Sequence, residues 1–393
     1  MKRTISIFIL FLLCCGCTED TTDPTDPADP TEVSDPTETP DPTDTPVPTK
    51  TIKVATYNMG LATGYVPYAA ERRDQVTAAV ATSDADIICL TEVWFDDNIE
   101  HVTSVLAETY PHQYSQIEPV EAGTEAACTE EEGAPLMECS IANECPTATD
   151  LGQCVLTNCL DEYNALPPTC GQCLAANLGL GDIDAIFEAC TTGSTEWLYD
   201  GHNGLMLVSK QPLENTKYIG LNTWLIVRAA LYAEVDGAQI LCTHLASDVG
   251  IEYGGDFESL DAEHKDQIDM LIAEMNANNQ DGPQIISGDL NAGPLVGNLS
   301  SERPDNYSAF ADNGYEDANC SSDEPFCTWC ADNLITNDPV NSAIDHVMVR
   351  QAATANPIRL FDETITIESA EDGTLEVHMS DHFGIQVDVT WEE

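Results

Sequence analysis

Hydrophobic and polar positions alternate with two different periods in the N-terminal third of the chain. The strand-like runs TIKVATYN (51–58) and ADIICLTEV (85–93) enclose residues 67–82, whose apolar spacing predicts a helix. Residues 96–109 predict a second helix, and HQYSQI from residue 112 begins a further strand. This alternation of strand and helix is typical of an α/β domain.

The same patterns return after residue 200. Residues 257–278 predict a helix with its apolar side chains on one face. Strands are predicted for GLMLVSK, RAALYAEV, AQILCTHL, PQIISGDLN, AIDHVMVR and FGIQVDVTW. The strand sets on either side of residues 119–198 are incomplete without each other, so we expect one domain over 51–393, interrupted by an insertion at 119–198.

The N-terminus has the form of an export signal. Two basic residues precede the apolar run 5–13, which is too short to cross a bilayer. Gly16 directly before Cys17 resembles the processing site of bacterial lipoproteins, which predicts a signal at 1–17 and lipidation of Cys17. An ordinary cleaved signal is the alternative.

Residues 18–50 follow as a repetitive Pro/Thr/Asp segment. Proline at nearly every third position and the acidic residues between favour an extended, disordered stalk. We therefore expect an exported protein, held by a lipid anchor at the outer membrane or surface of a bacterial cell, or otherwise secreted. The sequence leaves the oligomeric state open, with a monomer as the default expectation.

The charge balance excludes several partners. The chain has 13 Lys and Arg against 69 Asp and Glu, and residues 51–393 keep 10 basic and 59 acidic residues without the leader and stalk. Such a surface has few groups that could contact a run of phosphates, so a generic nucleic-acid binder and a polybasic membrane binder are disfavoured. Acidic sites for divalent cations fit this composition.

Cysteines support export. Eight of the 16 cysteines lie in the insertion, which predicts four disulfides whose pairing stays open. Two C-x-x-C pairs, Cys170/Cys173 and Cys327/Cys330, leave zinc as the alternative. Cys89 and Cys242 lie inside apolar runs and are predicted to be buried free thiols. Cys320 joins Cys327 and Cys330 in a group of three, which leaves one cysteine without a predicted partner.

Polar residues recur where the apolar strands end. One such residue alone is more often a turn or packing residue, but six strand ends in one domain indicate a site at one edge of a sheet. The candidate site residues are Asn58, Glu92, His244, Asp289, Asn291, Asp345, Asp381 and His382, and His346 stands directly after Asp345 in the same strand-end motif.

The ordered motifs YNMG, LTEV, THL, SGDLN, IDHV and SDHF resemble those of the endonuclease/exonuclease/phosphatase superfamily. The resemblance covers about 51–118 and 200–393. It implies a four-layered α/β/β/α sandwich of two mixed sheets, with the disulfide-rich insertion interrupting it.

The resemblance also implies roles for single residues. Glu92 matches a magnesium-binding glutamate, Asn58 an asparagine that helps to hold the metal, and Asp381 a further metal- or water-binding acid. Asp289 and Asn291 match the pair that positions the attacking water and the phosphoryl oxygens. His382 matches the catalytic histidine, Asp345 the aspartate that orients it, and His244 the histidine that contacts the phosphate and protonates the leaving group.

The chemistry of these residue types agrees with those roles. A phosphoester resists attack because its oxygens are anionic, and Mg²⁺ or Mn²⁺ held by carboxylate and amide oxygens would offset that charge. His382 steered by Asp345 has the form of a base that takes a proton from water. Direct attack of water on phosphorus is therefore expected.

The substrate class is less well defined by the sequence. HNGLMLVSKQPL (202–213) resembles a segment of sphingomyelinase-like members, and Gly60 stands where repair nucleases tend to carry an acid. We expect an exported phosphoric-ester hydrolase with a small or lipid-linked phosphoester as substrate. An extracellular endonuclease is the alternative, and a surface binding or adhesive module on this scaffold is the second.

Overall fold

The computed structural model describes residues 47–392 apart from short gaps. These gaps are residues 64, 116–125, 149–150, 179–181, 194–196, 250–252, 279–281, 337 and 371. The predicted signal and nearly all of the predicted stalk lie outside the described residues.

Strands and helices follow one another along the described chain. The strands are β1 Thr49–Asn58, β2 Ile87–Thr91, β3 His112–Tyr114, β4 Met206–Ser209, β5 Glu214–Gly220, β6 Ala229–Val235, β7 Ala238–His244, β8 Gln284–Asp289, β9 Glu316–Asp317, β10 Asp345–Arg350, β11 Ala353–Leu360, β12 Thr364–Ser369, β13 Gly373–His378 and β14 Gly384–Glu392. The helices are α1 Ala69–Ala81, α2 Asp96–Leu106, α3 Glu130–Ala142, α4 Leu151–Asn158, α5 Leu160–Asn164, α6 Pro168–Ala176, α7 Ile183–Thr192, α8 Leu260–Asn278 and α9 Pro304–Asp312.

Two mixed sheets pack face to face. The first has the order β11-β14-β1-β2-β4-β3 and the second the order β5-β6-β7-β8-β10-β9. Each contains one parallel pair, β1 with β2 and β7 with β8, among antiparallel neighbours. Strands β12 and β13 form a separate hairpin.

Burial on both faces explains the apolar strands. In β7, Ile240 and Cys242 point into the layer between the sheets, whereas Leu241 points outward against α8 and α9. The outer face of the first sheet packs in the same way against α1 and α2. The layers therefore run helix, sheet, sheet, helix, and the predicted four-layered fold is confirmed.

The insertion is helical, and it has a small core of its own. Helices α3 to α7 pack around buried cysteines and a few leucine and isoleucine side chains. Four disulfides join Cys128 to Cys170, Cys139 to Cys159, Cys145 to Cys154 and Cys173 to Cys190. The prediction of four disulfides here is confirmed, and the structure supplies the pairing.

The prediction of free thiols at Cys89 and Cys242 is wrong. These residues, on β2 and β7, form a disulfide that joins the two sheets. Both side chains face the layer between the sheets, a relation between distant strands that local apolar character does not reveal. Cys327 and Cys330 pair with each other, so both C-x-x-C motifs contribute to disulfides. Cys320 remains a free thiol.

Six disulfides within the described residues are typical of an extracytoplasmic protein. None of the described helices combines the length and the apolar composition needed to cross a bilayer.

Candidate active site

Strand register brings the predicted site residues together. In the second sheet, His244 at the end of β7 lies opposite Asp289 at the end of β8, and Asp289 lies opposite Asp345 at the start of β10. In the first sheet, Asn58 at the end of β1 pairs with Thr91, directly before Glu92. The ends of the two parallel pairs thus bring these polar side chains to one edge of the sandwich.

Asn58 connects the sheets at this edge. Its Nδ2 donates to Glu92 Oε1 and to Asp289 Oδ2, both at 3.0 Å, while its Oδ1 accepts from the amide of Gly60. Asn58 thus holds two carboxylates together, and its oxygen faces the backbone. Gly60 has a φ of 56°, and a Cβ there would lie 2.7 Å from Asp381 Oδ1. A side chain at this position would therefore strain the backbone and displace Asp381.

His382 and Asp345 form a buried pair. His382 Nδ1 lies 2.8 Å from Asp345 Oδ2, and His382 Nε2 lies 3.8 Å from Asp289 Oδ2. Burial alone would lower the pKa of His382, but Asp345 and Asp289 outweigh it and raise the pKa well above 6.5. Asp345 thus orients the ring and stabilises its protonated form.

His244 lies on the other side of Asp289. Its Nε2 is 3.4 Å from Asp289 Oδ2, and its Nδ1 has no hydrogen-bond partner within the described part of the chain. Burial, followed by the charges of Arg228 and His382, holds its pKa well below 6.5. His244 is therefore neutral near neutral pH, and an anionic phosphoryl group beside it would favour its protonation.

Asn291 and Asp381 complete the predicted set. Asn291 has a φ of 45°, and its backbone amide donates to Asp289 Oδ1 at 3.0 Å. Its Nδ2 donates to the carbonyl of Leu245. Asp381 accepts from Ser380 Oγ at 3.0 Å and lines the cleft. The structure thus gathers all eight predicted residues: six line the cleft, and the fully buried Asn58 and Asp345 bond to them from behind.

Arg228 is a cleft residue to which the sequence analysis assigned no role. It is almost fully buried directly before β6, and its Nη2 donates to Ser247 Oγ at 3.0 Å. Its Nη1 has no hydrogen-bond partner among the described residues. A buried guanidinium in a cleft of carboxylates is suited to an anionic oxygen of a substrate. The sequence feature that could have revealed Arg228 is a basic residue, rare in this chain, directly before an apolar strand.

The disulfide-closed loop 327–330 supports the His382–Asp345 pair. Thr328 Oγ1 accepts from the backbone amides of Ile344 and Asp345 at 3.1 and 3.0 Å. The Trp329 ring lies 5.0 Å from the His382 ring, edge to face. The loop therefore positions both members of the pair from outside the sheet.

Thr328→Val is expected to lower both stability and turnover. The change keeps the shape of the side chain but leaves two buried amides without an acceptor, at a cost of roughly 1–3 kcal/mol each. Thermal unfolding and kcat measured together test this. Thr336→Val, in the same region but bonded only to carbonyls of its own loop, is the control. Unchanged turnover in Thr328→Val would show that the pair does not depend on this loop.

The residues of the cleft fit a divalent cation. Glu92 Oε2 is buried without a hydrogen-bond partner in the described residues, and Glu92 has a φ of 60°. Burial and the neighbouring Asp381 raise its pKa to about 7. Burial and Asp345 likewise raise the pKa of Asp289 to about 6. Crowded carboxylates with an unpartnered oxygen are a donor set that a hard cation would satisfy.

The fold and this cluster together define an α/β/β/α sandwich with an acid–histidine site at the sheet edges. The sequence profile of the Endonuclease/Exonuclease/phosphatase family matches residues 55–382, and the chain belongs to this family. Members of the family are hydrolases that act on phosphoesters, and the resemblance recognised from the motifs is confirmed.

Solved structures agree on the fold. Sphingomyelinase C from Streptomyces griseocarneus is 16% identical, covers 86% of this chain and 99% of its own, and has a TM-score of 0.51. SmcL is 14% identical with the same coverage and a TM-score of 0.52. An endonuclease/exonuclease/phosphatase from Beutenbergia cavernae DSM 12333 is 16% identical, covers 87% of this chain and 72% of its own, and has a TM-score of 0.50. No curated protein sequence matches this chain at a significant level.

Proposed function

We propose that the protein is a divalent-metal-dependent phosphoesterase that hydrolyses a phosphodiester or phosphomonoester by direct attack of water. The observation that carries the proposal is the position of Asp289 between Asn58, which also bonds to Glu92, on one side and the two histidines His244 and His382 on the other. Few site types place an unpartnered carboxylate and an oriented histidine around one buried acid.

Each residue has a task in this proposal. Glu92 and Asp381 would hold Mg²⁺ or Mn²⁺, which supplies charge neutralisation at the phosphoryl oxygens. Asp289 positions a water molecule, and His382, oriented by Asp345, accepts its proton. Arg228 and Asn291 donate to the anionic oxygens, where charge accumulates in the transition state. As the bond from phosphorus to the ester oxygen breaks, a protonated His244 gives its proton to that leaving oxygen.

The charge of the cleft favours a small or lipid-linked phosphoester over nucleic acid. Asp248, Glu302 and Asp338 line the cleft beside the catalytic carboxylates. Several phosphates of a polyanion would lie against this acidic rim and be repelled by it, whereas a small phosphoester would contact only the centre of the cleft. Extracellular endonuclease activity remains the alternative.

A substrate panel tests the proposal. Hydrolysis of a chromogenic phosphodiester or of sphingomyelin with Mg²⁺, and slower cleavage of plasmid DNA, is the expected result. Preferred cleavage of DNA would favour the endonuclease. Binding without turnover of any phosphoester would favour a surface-binding module.

Asp345→Asn is expected to move the pH profile of kcat/KM. The carboxylate raises the pKa of His382, so its loss lowers that pKa, and neutral His382 is then available at lower pH. The acidic limb should therefore shift to lower pH, while the maximum falls by roughly ten- to a thousandfold. Asp317→Asn, which removes the partner of the buried His346, is the control and should change only the melting temperature. An unshifted limb in Asp345→Asn would contradict the pairing.

Export and anchoring are part of the proposal. The disulfides support an extracytoplasmic location, and Gly16-Cys17 supports lipidation at Cys17. Metabolic labelling with a fatty acid should mark the wild-type protein but not Cys17→Ser. Equal labelling of both would rule out Cys17 as the anchor.

A further inference from the structure

A narrow apolar groove opens inside the disulfide-rich insertion. It encloses about 630 Å³, counting its mouth, and is lined by side chains from α3, α4, α6 and α7. Leu136, Leu156, Leu174 and Phe187 are among these side chains. The catalytic cleft, in contrast, has about 1220 Å³ of space including its solvent-open mouth, and it is lined by carboxylates, histidines and Arg228.

The groove and the catalytic cleft share part of their walls. Tyr65 and Val249 line both. Tyr65 donates from its hydroxyl to the carbonyl of Ala175 in the insertion at 3.1 Å. The two spaces are therefore neighbours that share a wall.

A row of aromatic rings marks the path between them. The Tyr65 ring lies 6.2 Å from that of Tyr199, and Tyr199 stacks on Trp94 at 4.6 Å. Trp94 in turn lies 6.1 Å from the ring of His244. The side of the cleft between the proposed phosphate-binding residues and the insertion is thus aromatic.

One polar atom in the groove indicates a ligand. Ser140 on α3 lines the groove and is fully buried, yet its hydroxyl has no hydrogen-bond partner among the described residues. Buried hydroxyls without partners are uncommon in folded proteins. A ligand with one polar atom along an apolar chain could form a hydrogen bond with the Ser140 hydroxyl and would displace little ordered water.

We propose that the groove binds the single unbranched acyl chain of an amphiphilic phosphoester whose phosphate lies in the catalytic cleft. The inference rests on the proposed phosphoesterase function and adds a substrate class to it. The insertion then acts as a chain-binding module that takes one amphiphile at a time. Apolar contact in a narrow groove selects for chain length, because each buried methylene adds free energy of transfer from water.

The test compares chain lengths below the micellar concentration. The substrates are p-nitrophenyl phosphodiesters that carry a methyl, hexyl or dodecyl group. For the wild-type chain, KM should fall by at least about tenfold from methyl to dodecyl, since each fully buried methylene is worth roughly fourfold. Val155→Trp should fill the groove and abolish this dependence while leaving kcat and KM on the methyl ester unchanged.

Matched variants control for folding. Ile141→Trp introduces the same side chain beside Ser140, but Ile141 is 60% exposed and lies outside the groove, so the chain-length dependence of this variant should equal that of the wild type. If Val155→Trp does not fold, Leu156→Trp serves as a second groove variant. A wild-type KM that is the same for all three chains would overturn the proposal.

A binding measurement separates this inference from the proposed function. Calorimetry with dodecylphosphocholine measures binding in the groove independently of turnover. The wild type and Ile141→Trp should bind this probe at least about tenfold more tightly than Val155→Trp does. Binding of the probe without hydrolysis of any ester would contradict the phosphoesterase function and support the chain-binding groove. Hydrolysis of the methyl ester, with a KM that does not depend on chain length and no binding of the probe, would support the phosphoesterase function and contradict the chain-binding groove.

Discussion

Replacement of His382 by alanine is expected to lower kcat by about 10²–10⁴-fold, the usual contribution of a positioned acid–base group. His382 lies 2.8 Å from the aspartate that orients it and 3.8 Å from Asp289, which is proposed to position the water. The change removes the proton acceptor and leaves Glu92, Asp289 and Arg228 in place. Binding of substrate should therefore suffer much less than turnover.

A histidine outside the cleft provides the control. His101 is partly buried on α2, and its Nε2 lies 3.3 Å from Asp74 Oδ1. His101→Ala should leave kcat within a few-fold of wild type. If His382→Ala kept more than about a tenth of wild-type kcat, far above the usual loss, His382 would not be the base.

Replacement of Glu92 by glutamine is expected to remove most of the metal-dependent activity. The amide oxygen of glutamine can still accept from Asn58, so the local hydrogen bond and the shape remain. The negative charge and the second carboxylate oxygen, which is buried without a partner in the described residues, are lost. We expect kcat/KM to fall by roughly a hundredfold or more, as for loss of a strong charge-assisted contact in a dry site.

Metal binding provides a readout that is independent of turnover. Calorimetric titration with Mn²⁺ should show weaker binding in Glu92→Gln than in the wild type. Glu263→Gln is the matched control, because Glu263 is also a buried glutamate with a raised pKa but bonds to Tyr253 and Trp224. Wild-type activity that persisted unchanged in excess EDTA would exclude the metal role altogether.

The sequence alone determined the fold class and the positions of the candidate site. Strands that end in Asn, Asp, Glu or His are a local pattern, and the order of six such motifs is specific enough to identify the family. Strand register then brought His244, Asp289 and Asp345 to adjacent positions, as expected where apolar strands end at one edge. The local sequence was sufficient to locate the site because each of these polar residues stands out at the end of an apolar strand.

Pairing between distant segments was decided only by the tertiary structure. Cys89 and Cys242 are 153 residues apart, and their disulfide depends on which face each strand turns toward the other sheet. A shift of one residue in either strand would have pointed the thiol to the opposite face. The pairing of the eight cysteines in the insertion likewise depends on how five short helices pack.

The role of polar residues within apolar segments was also decided by tertiary contacts. Arg228 directly precedes an apolar strand, where its only sequence signal is that basic residues are rare in this chain, and Ser140 lies within helix α3 with no sequence signal of its own. Only the packed structure shows that both are buried with a polar atom unpartnered in the described residues. Burial and the absence of a partner are properties of the surroundings, which the chain acquires only when distant elements close around these two side chains.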